Sequence, residues 1–295
     1  MQMGHSDAGD EILLSTGKPD RTFSNSDWLI LRADGLPSAE RAGELGQVCR
    51  KAVMLAMASL RMAGDLGDRA PKGWIARFGL EMLEDQCGQR FLNDIHGLMV
   101  FESEPRPRFA SVGAPTLSVA RRIDEFKRAF TMSLPLASGF SKREEAAFTL
   151  YSSAAFQRSQ YARFLLLVMA VESLIVLERR GAHVLEYVER LVAQTKSNSA
   201  LSASERDSLV ASLEETRRES IRAAGRRLAD ERLDGTKFDG QSAAAFWGEA
   251  YTLRSRLVHG NHPLPTSDEV GKAAAQLEVF VALAISRPYL DGSKA

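Results

Sequence analysis

The residues of this 295-residue chain best suited to chemistry are Arg254 and His259, in the run Tyr251-Thr-Leu-Arg-Ser-Arg-Leu-Val-His-Gly260. An arginine is a permanent planar cation that grips phosphate, and an imidazole takes up and releases protons near neutral pH. Together they form a minimal metal-free set for cutting RNA. Tyr251, Arg256 and, far upstream, Glu172 are candidate supporting groups. A plainer reading stays open. A histidine in the last turn of a helix suits the negative end of the dipole and can bond free carbonyls, while Arg254 and Arg256 can be solvated or paired with carboxylates. A second spacing, Arg256-x5-His262, ranks lower because Gly260 and Pro263 should leave His262 outside the helix.

The element that must position the pair is a helix from Ser242 to His259. Phe246, Ala250, Leu253 and Leu257 recur at steps of four, three and four and predict its core-facing stripe. Arg254 lies beside that stripe with Trp247, Tyr251 and Val258, a flank apolar enough to face a partner. His259 falls about 140° further round a helix of ~3.6 residues per turn. The two side chains therefore meet only if the helix end distorts or two copies of the chain associate. Symmetric dimers are the commonest oligomers, so a composite site at a two-fold axis is the natural solution.

Around that helix the pattern predicts two domains, predominantly helical. Residues 1 to 25 look polar and pattern-free, a loose terminus, and 26 to 133 form a mixed α+β domain. Strands are expected at Trp28-Leu-Ile-Leu31, Leu98-Met-Val-Phe101 and Phe109-Ala-Ser-Val112, and helices from Ala39 to Met62 and around Ile123, Phe126 and Phe130. Breaks fall at Asp65-Leu-Gly67 and Pro71-Lys-Gly73. Residues 134 to 140 read as a linker. From 141 to 295 only helices are expected. Ser141-Lys-Arg-Glu144 and Thr266-Ser-Asp-Glu269 have capping-box form. Tyr161 to Arg180 is apolar nearly all round, a central buried helix, and Val184 to Gln194 a shorter one. Ser204 opens a long charged helix toward Leu233, and a last helix carries Val270, Ala274, Leu277, Val281 and Ile285 on one face.

That long charged helix repeats Arg218, Arg222 and Arg226 every four residues beside Arg217 and Arg227. Such a stripe can track an RNA backbone, although a solvated helix with Glu214–Arg218 support explains it more simply. Glu172, inside an apolar helix, needs a partner, and an arginine is the natural one. Cys49 and Cys87 are too few for a disulfide framework or a four-ligand zinc site and are expected to be buried apolar groups. Met54, Met57 and Met62 read as core gap-fillers.

Composition narrows the classes. With 38 acidic and 38 basic residues the net charge is zero, so RNA contact must come from a local patch. The start shows no secretory signal, and 164–177 is too short for a bilayer, which predicts a cytoplasmic protein without membrane contact. Phosphate-cradling Gly-Lys-Ser/Thr loops, dinucleotide fingerprints, His-Glu-x-x-His and Gly-x-Ser-x-Gly do not occur. No cofactor is expected.

Arg254-x4-His259 matches the Arg-x(4–6)-His signature of the HEPN superfamily, and the run from Ala250 to Gly260 resembles the Apea-like HEPN family. Tyr161-Ala-Arg-Phe-Leu-Leu-Leu-Val-Met-Ala-Val-Glu-Ser-Leu174 is similar to that family's central helix, and Ser141-Lys-Arg-Glu-Glu-Ala-Ala147 to the segment before it. The likeness spans the second half of the chain. It implies a HEPN-like all-α bundle after the α+β domain, a homodimer and, in active members, a metal-independent endoribonuclease, often a toxin or phage-defence effector with a separate antitoxin or regulatory chain. Arg254 and His259 carry over as the catalytic pair, with Glu172 near the site. His259 would move a proton at the RNA 2′-hydroxyl or the leaving 5′-oxygen, and Arg254 would hold the phosphate, leaving a 2′,3′-cyclic phosphate. The rival is a non-catalytic module that dimerises or binds a nucleotide, RNA or protein.

Overall fold

A computed structural model of the chain describes residues 1–6, 9–16, 22–23, 26, 29–68, 75–110, 123–260 and 262–290. Trp28, the expected break at 71–73, and Ser111 and Val112 lie outside these residues. The chain divides into two compact units, Met1–Phe156 together with the chain from Ile285, and Gln157–Ala284.

In the first unit, β1 (Gln2–His5), β2 (Glu11–Ser15) and β3 (Ile30–Arg32) form an antiparallel sheet in that order. The segment expected to be a loose terminus therefore holds two strands, Gln2–His5 and Glu11–Ser15. Met3, Ile12 and Leu14 are buried, and Ile12 and Leu14 alternate with Glu11 and Ser15 as a half-buried strand requires. A five-residue strand is too short for that alternation to stand out. α1 (Ala39–Ser59) starts on Ser38, whose side chain accepts from the Arg41 amide, and buries Leu45, Ala52, Leu55, Met54 and Met57. α2 (Arg77–Cys87) precedes β4 (Phe91–Asn93), which pairs in parallel with β5 (Arg108–Ala110). The expected strand at Leu98–Phe101 is absent: Phe101 meets Phe109 ring edge to face at 5.6 Å, a side-chain contact without a backbone ladder.

α3 (Ile123–Ser133) buries Phe126 and Phe130 as the pattern predicts. Residues 134–140 are no linker. They hold a 3-10 turn at Ala137–Gly139 and bury Ala137 and Phe140. The Tyr289 hydroxyl donates to the Gly139 carbonyl at 2.9 Å and to Glu144 at 2.5 Å, so the segment is tied into the first unit. α4 (Lys142–Ala155) opens with both bonds of the Ser141–Glu144 capping box, and the division falls after it, at Phe156.

The second unit runs α5 (Gln160–Leu174), α6 (Ala182–Ser197), α7 (Ala203–Glu215), α8 (Ile221–Leu233), a two-residue hairpin β6 (Lys237–Phe238) and β7 (Gln241–Ser242), then α9 (Ala243–His259). α10 (Ser267–Leu290) follows, and its end belongs to the first unit. Helices alone were expected beyond 141, but Asp239 and Gly240, at φ 50° and 78°, make a tight hairpin. α5 stops at Leu174 rather than near 180, because the following strand-like stretch bridges Arg179 to Arg218. The long charged helix is in fact two, broken at 216–220. Ser202 caps the first with a full capping box to Glu205, and Ser220 caps the second.

α9 packs on α5 and α8. Phe238, Phe246, Trp247 and Phe280 form an aromatic cluster with ring centroids 5.3–6.3 Å apart. The Thr266–Glu269 capping box forms, and Val270, Ala274, Leu277, Val281 and Ile285 of α10 are all buried. No helix among the described residues is long and apolar enough to cross a membrane.

Candidate functional site

α9 carries the candidate pair, and its two ends are defined by residues suited to them. The Ser242 side chain accepts the Ala245 amide at 3.3 Å. Gly260 takes the left-handed conformation at φ 65° and returns its N–H to the Arg256 carbonyl. Arg254 and His259 both fall inside this helix, with no distortion between them, so in one chain they point to different flanks, about 140° apart.

The flank of Arg254 differs from the sequence expectation in one respect. Trp247 does not face outward; it is fully buried against α8 and Phe280. Gly225 makes this possible, since a Cβ there would stand 2.0 Å from the indole nitrogen. Leu253 and Leu257 are only half-buried, so the core stripe is rotated toward Trp247 and holds Phe246, Trp247 and Ala250. Leaving a helix-interior glycine in α8 costs roughly 1 kcal/mol of propensity, which the burial of a tryptophan more than offsets.

Beyond Trp247 the flank opens. Tyr251 sits 5.5 Å from Trp247, ring to ring, and the Arg254 guanidinium lies 5.8 Å from the Tyr251 ring centre. Arg254 Nε stands 3.7 Å from Glu172 Oε1, the arginine partner that the sequence argument demanded of that glutamate. The contact is an ion pair but too long for a hydrogen bond, and Glu172 Oε1 is buried with no hydrogen-bond donor. Burial pushes the Glu172 carboxyl above its ordinary value, and the Arg254 charge offsets that only in part. Arg254 itself remains 27% exposed. Val258, next on this flank, is exposed.

His259 is exposed, and among the described residues nothing bonds its ring. Arg256 serves a different purpose. Its Nε and Nη2 both donate to the Pro263 carbonyl, at 3.1 and 2.6 Å, and hold the turn after the helix. His262 lies outside the helix, so the alternative Arg256/His262 spacing puts no pair on one element.

The basic stripe is not a single feature. Arg218 sits in the break between α7 and α8, where its backbone pairs with Arg179 and its carbonyl accepts Arg180 Nε at 3.1 Å. Arg217 pairs with Glu214, not with a nucleic acid-facing surface. Arg227 is bound by Glu219 at 2.6 Å and by Glu178 and Glu231 at 3.0 Å each. Of the four-residue repeat, Arg222 and Arg226 lie in α8, and both are exposed. Sequence spacing gave no hint of what they face: Gly248 of α9, where a Cβ would lie 3.6 Å from Arg222 Nη2 and 3.7 Å from Arg226 Nε. A mid-helix glycine, Gly248, six residues before Arg254, was the one available signal.

Of the cysteines, Cys49 is buried and burial raises its thiol to about 11. Cys87 is exposed, contrary to expectation, because it closes α2, a helix with no fully buried residue. The chain matches no protein-family model, no curated protein and no solved structure.

Proposed function

We propose that the chain is a metal-independent endoribonuclease of HEPN type, working as a cytoplasmic toxin or phage-defence effector. One observation carries the reading: Arg254 and His259 both reach solvent from one regular helix, Arg254 in a loose ion pair and His259 with its ring unbonded among the described residues. Neither is sealed in the core. Their separation around α9 requires a second copy of the chain to complete the site, and the exposed Val258 and half-buried Tyr251 beside Arg254 supply apolar surface for that contact.

In the assembled site Arg254 holds the scissile phosphate and the charge that grows on its oxygens. The 2′-oxygen attacks phosphorus as its proton passes to an imidazole, and the 5′-oxygen leaves with a proton from an imidazolium. The products are a 2′,3′-cyclic phosphate and a free 5′-hydroxyl. DNA, lacking the nucleophile, is inert. Glu172 acts at one remove, orienting Arg254 across the ion pair.

A second reading has its own support. The Glu172 contact and the Tyr251 ring engage Arg254 from within the chain, which suits an interface or binding module without catalysis. The test is incubation of cellular RNA with the full chain in chelator-containing buffer, with mapping of cut ends. Cyclic phosphate termini that vanish with His259→Ala and Arg254→Ala support the nuclease. Cleavage undiminished in the His259 variant ends it.

A further inference from the structure

Arg222 and Arg226 stand out among the arginines around them. Arg217 and Arg227 are neutralised by carboxylates, Arg227 by three. Arg222 and Arg226 have no ion-pair partner among the described residues, yet both lie over one point, the buried backbone of Gly248. Like charges four residues apart on a helix destabilise it.

The face of α9 that begins at Gly248 continues through Thr252 and Ser255 to His259. At ~100° per residue these four positions fall within an arc of about 60°. Gly248 is buried, Ser255 is half-buried and Thr252 and His259 are exposed, so the stripe opens from Thr252 onward and is small and polar. Along the axis it spans about 16 Å at ~1.5 Å per residue. A stacked strand with a phosphate every ~3.4 Å lays about five phosphates over that length.

We propose that Arg222 and Arg226, flanking Gly248, clamp a phosphodiester of a single-stranded RNA whose backbone then runs along α9 to His259. The inference deepens the ribonuclease reading and rests on it only for the identity of His259. Both arginines are exposed and their guanidiniums converge over the buried Gly248, so one phosphate on their solvent side meets paired N–H donors from each. The path lies on the flank away from Arg254, so the clamp and the Arg254 phosphate contact are separate sites on the strand.

The experiment measures binding and not cleavage. The full chain carrying His259→Asn is titrated with a labelled single-stranded RNA, and with DNA of the same sequence, over a series of salt concentrations. Loss of the one clamped phosphate lowers the salt slope by about 0.7, at ~0.7 per neutralised phosphate for single strands. We expect that fall, with at least a tenfold loss of affinity, in the Arg222→Gln/Arg226→Gln double variant. Arg190→Gln, which removes a charge stacked on Tyr187 elsewhere in the unit, should leave the slope alone. The Arg222→Lys/Arg226→Lys variant keeps both charges and should retain the slope with weaker affinity, which separates lost contacts from lost folding. An unchanged slope in the Gln pair, an equal fall in Arg190→Gln, a lost slope in the Lys pair, or no RNA binding at all overturns the clamp. Comparable binding of DNA supports a backbone clamp. Cleavage by the wild-type chain with an unaltered Gln-pair slope sinks the clamp alone. A lowered slope without cleavage sinks the nuclease alone.

Discussion

The two flanks of α9 are built on opposite principles. On one, Trp247, Tyr251 and Arg254 are each engaged by another part of the chain: an aromatic core, a tryptophan ring, a half-buried carboxylate. On the other, Thr252, Ser255 and His259 lie toward solvent beyond the buried Gly248, and the two cations set against that glycine have no counter-ion among the described residues. Two glycines mark the contrast. Gly225 is small because a tryptophan fills the space above it. Gly248 has two guanidinium groups nearby, at distances where a methyl group would make ordinary contact. A glycine in a packed helix pair can thus either be required by a bulky neighbour or have room for a methyl group, and the sequence alone does not say which.

The widest test of the contrast is at His259. If the open flank is catalytic, His259→Ala should lower metal-free RNA cleavage by about 10²–10⁴-fold while leaving the melting temperature unchanged, as followed by end-labelled RNA and circular dichroism. On the engaged flank the effect should be on folding instead. Trp247→Ala removes a fully buried side chain and should cost about 3–5 kcal/mol in denaturant unfolding. The glycines should then differ in sign. Gly225→Ala puts a methyl 2.0 Å from the indole and should destabilise by about 1–3 kcal/mol. Gly248→Ala meets nothing closer than 3.6 Å and should be neutral or stabilising by up to ~1 kcal/mol through helix propensity. Equal effects at the two positions would erase the distinction.

Glu172 gives the smallest and most specific test. Its folded-state carboxyl is raised, with burial the main cause and Arg254 opposing it. A raised acid binds its proton more tightly in the folded state than in the unfolded chain. Its stabilising contribution is therefore complete below the ordinary carboxylate value and fades as pH climbs through the raised one. Glu172→Gln should flatten that part of the profile. Melting curves on either side of the window should show wild type losing ground to the variant as pH increases. A wild-type profile that gains instead would mean that Arg254 outweighs burial, and that the ion pair is tighter than its 3.7 Å separation implies.

Much of this was legible beforehand where physics is local. Both capping boxes, at Ser141 and Thr266, formed as their spacing requires, because a serine or threonine and a glutamate three residues on satisfy each other without help from the rest of the chain. The buried face of α10 followed from its 3.6-residue period, and the start and stop of α9 from Ser242 and Gly260. Strands were less legible. β1, β2 and β4 are five residues or fewer, and strand pairing depends on partners distant in sequence. Residues 134–140 had the composition of a linker, yet Phe140 and Ala137 are buried by contacts reaching Tyr289, about half the chain away.

The candidate site divides along the same line. Residue types and helical spacing determined that Arg254 and His259 share a helix and cannot meet within one straight copy of it, and that Glu172 needed a cation. Tertiary packing decided which cation that was. It also turned Trp247 inward, broke the arginine repeat at 216–220 so that Arg218 left the helix, and set Arg222 and Arg226 over Gly248. Periodicity places a residue on a face, because the helix repeats every ~3.6 residues. Which neighbour that face meets depends on how helices far apart in the chain settle against one another to bury their apolar sides.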